Sequence, residues 1–214
     1  MALAGQAFLR ASLASEGRRR QAWNDILRWS VLQLDCPDLA LSRHMVFAHL
    51  SLDDFRKVIT THVEALNHAV RDIPPERMRM HICWASTQGP HHNDVPLRDI
   101  VDIVLMGRPQ ALSFPGANPR HGHEWKVWRE VELPEDKIII PGVIDSTSNF
   151  VEHPELVADR ILQYAGVAGA GNVIAGVDCG FGTFAGRLQV DSKIVWMKLA
   201  ALAEGARLAS KQLW

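Results

Sequence analysis

Hydrophobic and polar positions along this chain fall into two alternating patterns. Short apolar runs closed by turn residues are followed by longer stretches in which apolar residues recur every three or four positions. Residues 31–35 are the first such run, stopped by Cys36-Pro37, and predict a buried strand. Residues 51–72 carry Leu52, Phe55, Val58, Ile59, Val63, Leu66 and Val70 at helical spacing. Ser51 stands as N-cap with Asp54 three residues on, and Ile73-Pro74-Pro75 ends the helix. Strands are predicted at 79–84, 111–114, 137–144 and 173–177, the fourth interrupted by Pro141-Gly142. Helices are predicted at 97–107, from Pro154 to about 167, and from an Asp191 cap onward, with a short helical piece at 124–129.

Five successive βα units with apolar strands imply an α/β fold with a parallel sheet and helices packed outside it. An open doubly wound sheet and part of a (β/α)₈ barrel both fit this order. Asp35, His81, Cys83, Asp145 and Cys179 all fall at or near the C-terminal ends of predicted strands. Side chains gathered from several strand ends are the habit of a barrel. Gly180-Phe181-Gly182 lacks the third glycine of a dinucleotide fingerprint. The expected fold is therefore a partial (β/α)₈ TIM barrel with about five parallel βα units.

Composition narrows the partners. With 23 basic and 24 acidic residues the formal net charge is -1, which gives no reason to expect binding to nucleic acid or to an anionic membrane. No apolar run reaches the roughly 18 residues of a membrane span. Three separated cysteines in 214 residues speak for a reducing compartment, and the cytoplasm is the expected location. Residues 1–29 are expected to form a lead-in, as a surface helix or a poorly ordered stretch. Their apolar part precedes Arg18-Arg19-Arg20, the wrong order for a secretory signal.

The candidate chemistry lies in two stretches, His81-Ile82-Cys83 and Asp178-Cys179-Gly180. Side chains two apart on a strand share a face, so an imidazole and a thiol would stand side by side at 81 and 83. Cys179 would complete an N/S/S set from another strand end. Zinc favours those ligands, and three protein ligands with one open position is its catalytic arrangement.

Val31 to Asp38 (VLQLDCPD), His81 to Ser86 (HICWAS), Pro141 to Asp145 (PGVID) and Val177 to Gly180 (VDCG) resemble, in the same order, strand-end motifs of the catalytic domain of cobalamin-independent methionine synthase. The resemblance runs from about residue 30 to 214 and looks closest to the single-domain methionine synthase II-like relatives. It implies a (β/α)₈ catalytic domain with zinc on His81, Cys83 and Cys179. It also implies substrate-directed roles for Asp35 and Asp145, and methyl transfer from methyltetrahydrofolate to the sulfur of homocysteine, in methionine biosynthesis.

Three departures accompany it. Pro115 stands where the family has a glutamate ligand, with His121, His123 and Glu124 nearby in sequence. Thr147 stands where the family has a histidine. Only about five of the eight βα units of a barrel are present, so an unpaired edge and an uncovered apolar face are expected. A partner chain or a second copy would cover them, or the chain is a truncated form. Pro115 and Thr147 also keep open a related zinc-dependent thiol alkyltransferase, of the epoxyalkane:coenzyme M transferase kind, and an inactive fragment. His62, His68, His91 and His92 are expected to be solvated, and the tract 130–137 to be an exposed turn.

Overall fold

The computed structural model describes residues 30–182, 186 and 189–214. The lead-in expected over 1–29 lies outside the described residues. Five strands form one parallel sheet: β1 (Leu32–Cys36), β2 (Met78–Ile82), β3 (Ala111–Phe114), β4 (Ile138–Ile144) and β5 (Gly176–Val177). Their spatial order is their chain order, β1-β2-β3-β4-β5. Between them run α1 (Leu41–Met45), α2 (Leu52–Ala69), α3 (Val101–Leu105) and α4 (Pro154–Ala168), and α5 (Ser192–Leu213) follows the last strand. A sequential parallel order with helical connections between the strands, a 3-10 segment alone between β3 and β4, is the pattern of a barrel segment, as expected; a doubly wound sheet would reverse direction at a switch point.

Helix ends follow their local chemistry. Ser51 Oγ accepts the Asp54 amide at 3.1 Å, capping α2. Pro154 opens α4, and Asp191 caps α5 by accepting the Lys193 amide at 2.8 Å. The helix expected over 97–107 divides into a 3-10 turn, Leu97–Asp99, and α3, because Ile100 leaves helical geometry at φ -132°. The segment at 124–129 is a 3-10 turn, Glu124–Arg129. Helix α1 was not foreseen; five residues are too few to display a period.

Strand register fixes two faces. Leu34, Met80, Leu112 and Ile139 align across β1 to β4. With Ile82 and Phe114 they meet Phe55, Ile59 and Val63 of α2 and Val101, Ile103 and Val104 of α3 in one core. Val143 and Ile144 join Val157, Ala158 and Ile161 of α4 and Ala209 of α5 in a second. The opposite face carries Gln33, Arg79, Ala111 and Ile138 in one row and Asp35, His81, Ser113 and Ile140 in the next. Gln33, Asp35 and Arg79 are exposed. The uncovered face expected to be apolar is therefore polar along β1 and β2, because the residues that alternate with the core positions there are an amide, a carboxylate and a guanidinium.

Three further expectations are corrected. Strand β5 is two residues long rather than five, joined upstream only by an isolated bridge between Ile139 and Val173. Its pairing with β4 shifts register between Gly142 and Ile144, next to Pro141, which has no amide to donate. Lys137 is buried, not part of an exposed turn, and its ammonium donates to the carbonyls of Gly107 and Pro109. The His91 side chain is also only 4% exposed. Its ring stacks on His44 and reaches Thr87 and Asp94, so it is not a solvated loop histidine.

Candidate metal centre

His81, Cys83 and Cys179 converge at the C-terminal edge of the sheet, with one ligand atom from each lying within 4.8 Å of the others. Among the described residues no other set of three histidine, cysteine or acidic side chains does so. His81 is held by β2. Cys83 lies just past its end rather than inside the strand, and is still buried. Cys179 follows β5 by two residues.

The donor geometry suits zinc. Two sulfurs on one tetrahedral zinc, each about 2.3 Å from it, stand about 3.8 Å apart; the Cys83 and Cys179 sulfurs are 3.7 Å apart. His81 Nδ1 is paired with Ser113 Oγ at 3.1 Å, while its Nε2 is buried and has no hydrogen-bond partner. An unpaired buried ring nitrogen is costly unless it has a ligand to meet. Hydrogen bonding at one nitrogen and metal at the other is how a ligating histidine is oriented.

The electrostatics favour thiolate. The Cys179 sulfur is drawn down to about 4, first because the Cys83 thiol donates to it, then, against burial, by the neighbouring His81 and Ser86. Cys83 is pushed up, first by that same hydrogen bond, which favours its protonated form, then by burial and the negative charges of Cys179 and Asp35. The two thiols thus titrate as a pair holding one proton between them. Zinc would deprotonate both, since a coordinating thiol loses its proton outright.

Several groups shape the site without standing out in the sequence. Ala85 sits at φ 68°, a left-handed conformation more often taken by glycine. Its carbonyl accepts from Arg120 at 2.9 Å and its amide points at the Cys83 sulfur, 3.3 Å away. Asp178 is buried beside Cys179 and accepts from the amides of Gly116, Ala117 and Asn118 and from the Asn118 side chain, at 2.8–2.9 Å. This ties the start of the Cys179 loop to the segment after β3. A Cβ at Gly142 would lie 2.0 Å from the same carboxylate, so only glycine fits there. Ser113 could not have been singled out, because its role depends on β2–β3 register.

The other expected site residues are not members of this group of three. Asp35 is exposed at the end of β1, in register beside His81, and accepts from Gln33 at 2.8 Å. Asp145 follows β4, and Thr147 donates to its Oδ1 through both amide and hydroxyl. Burial alone would raise the Asp145 carboxyl, but Thr147, Ser148 and the charge of Lys198 outweigh it and hold it below the usual carboxylate range. Asp145 also donates its amide to Glu152, which pairs with the fully buried Lys198 at 2.9 Å. Pro115 is buried directly after β3 and has no side-chain donor. His121 and Glu124, buried, pair with each other at 2.8 Å and take no part in the group of three.

Among the described residues no helix is long and apolar enough to cross a membrane. No protein-family model matches the sequence, and no curated protein matches it either. Among solved structures the chain is similar to a B12-independent methionine synthase from Shewanella sp. W3-18-1, in complex with selenomethionine, at 17% identity and a TM-score of 0.62. The match covers 86% of this chain and 49% of that one, so the chain spans about half the length of the enzyme it resembles. At that identity the likeness is one of fold: five parallel strands with alternating helices, arranged as part of a (β/α)₈ barrel.

Proposed function

We propose that this chain holds a zinc ion through His81, Cys83 and Cys179 and acts as a thiol S-methyltransferase, passing the methyl group of methyltetrahydrofolate to homocysteine. The observation carrying the reading is the convergence of two sulfurs 3.7 Å apart on a buried, unpartnered imidazole nitrogen. Bound there, zinc would supply an open coordination position at which a thiol becomes a thiolate near neutral pH.

The protein's own groups have three tasks. Ser113 holds the His81 ring so that Nε2 stays free for the metal. Asp35, exposed beside His81 on the open face, offers a carboxylate to the ammonium of an amino-acid thiol. Asp145, kept ionised by Thr147, adds a fixed negative charge at the rim. Holding the methyl donor in line with the sulfur is the remaining requirement.

A second reading is favoured by one observation. The glutamate position is occupied by buried Pro115, leaving three protein ligands, and a related zinc-dependent alkyltransferase acting on a different thiol fits that set. Purified protein is expected to hold stoichiometric zinc and to lose it in Cys83→Ser. Turnover with homocysteine and methyltetrahydrofolate supports the first reading, and turnover only with coenzyme M and an alkyl donor supports the second. Absence of zinc binding by the wild-type chain removes both.

A further inference from the structure

The two thiols of the candidate metal centre stand 3.7 Å apart, and that proximity has a second chemical consequence. All three cysteines are free, but their placement makes them unequal. Cys36 belongs to the helix-facing core, and its sulfur contacts the Leu34 carbonyl at 3.9 Å. Cys83 and Cys179 belong to the strand-end group, with sulfurs 3.7 Å apart although 96 residues separate them in sequence. Of the three pairings, only this one brings two sulfurs together.

A disulfide bond is about 2.05 Å long, so closure requires an approach of somewhat under 2 Å. The Cys179 side has room to supply it. Among the described residues nothing lies within 4 Å of where a Cβ would stand on Gly180 or Gly182. Cys83 is the fixed partner, since it directly follows β2 and is gripped by the Ala85 turn.

We propose that, without metal, Cys83 and Cys179 form an intramolecular disulfide when a hydroperoxide is the oxidant, and that bound zinc prevents it. One sulfur attacks the peroxide oxygen, giving a sulfenic acid and releasing the alcohol, or water from hydrogen peroxide. The second sulfur then attacks the sulfenic sulfur, forming the S–S bond and expelling water. Two electrons pass from the thiol pair to the peroxide, and both thiol protons leave in the products. The bond would join the end of β2 to the end of β5 and remove both sulfur ligands at once. The site would thereby switch off under oxidation and recover on reduction.

The inference rests on the ligand set proposed above, but its test does not depend on catalysis or on zinc being the resident metal. Full-length protein is stripped with a chelator under reducing conditions, desalted and treated with hydrogen peroxide. Intact mass and non-reducing peptide maps are then compared with a zinc-supplemented sample. The expected result is loss of two hydrogens, a peptide linking Cys83 to Cys179, the same link in Cys36→Ser, and slower linking with zinc present. A link through Cys36, stable sulfenic acids trapped at both 83 and 179 without a link, or linking at equal rate with bound zinc would overturn it. A chain that binds no zinc yet forms the link would sink the proposed function and leave the redox pair standing.

Discussion

The His81 imidazole is the residue on which the site depends. One ring nitrogen is paired with Ser113 and the other is buried without a hydrogen-bond partner. If that arrangement exists to present Nε2 to a metal, Ser113→Ala should weaken zinc binding by roughly 10- to 100-fold, the usual loss when such an outer partner is removed. Ser113→Thr should restore most of it. Competition titration with a chromogenic chelator measures both, and equal affinity in Ser113→Ala would show that the hydroxyl does not orient the ring. At this scale the grouping of His81, Cys83 and Cys179 is legible in the sequence and the groups that hold them in place are not. His81 and Cys83 are readable as neighbours because they stand two apart at one strand end, although the strand stops at Ile82. Ser113 and the four donors to Asp178 come from segments 32 and about 60 residues away, and no local pattern encodes such pairings.

Among the elements, β4 and α5 bind the rim together. Lys198, on α5 and fully buried, pairs with Glu152, whose other oxygen receives the amide of Asp145 at the end of β4. Removing one member leaves a buried charge without its partner, which costs about 3–5 kcal/mol, whereas apolar replacement of a whole pair is often close to neutral. Lys198→Met and Glu152→Gln should each destabilise by that order. The double variant should lose less than their sum, with a coupling of about 0.5–3 kcal/mol in denaturant unfolding. Simple additivity would mean that the two charges do not sense each other. Apolar period locates α2 well, and the Ser51, Pro154 and Asp191 starts are readable from cap chemistry. Strand β5 was over-read because its apolar run continues where the pairing does not: the register shift beside Pro141-Gly142 is a property of two strands and not of one. The burial of Lys137 is illegible for a similar reason, since its carbonyl partners lie on a different loop.

For the whole molecule, metal at the candidate centre would join parts of the sheet that hydrogen bonds do not join directly. Cys83 follows β2 and Cys179 follows β5, with β3 and β4 between them in sheet order. Zinc bound only by the folded chain should therefore raise its stability, by about 2.7 kcal/mol at a concentration 100 times the dissociation constant. Thermal unfolding should shift upward with zinc, fall back with chelator, and show no zinc dependence in Cys83→Ser. An identical shift in that variant would assign the effect to other sites. The parallel order and barrel-like direction of the sheet were legible because each βα unit declares itself separately. The polar character of the open face was not, since it follows from how Gln33, Asp35 and Arg79 align across two strands.

X-ray absorption at the zinc edge on zinc-loaded protein tests the ligand set most directly. The account predicts two sulfurs at about 2.3 Å and one imidazole nitrogen at about 2.0 Å, with one sulfur lost in Cys179→Ser. A first shell of oxygen and nitrogen alone, or a sulfur count unchanged by that substitution, would contradict it.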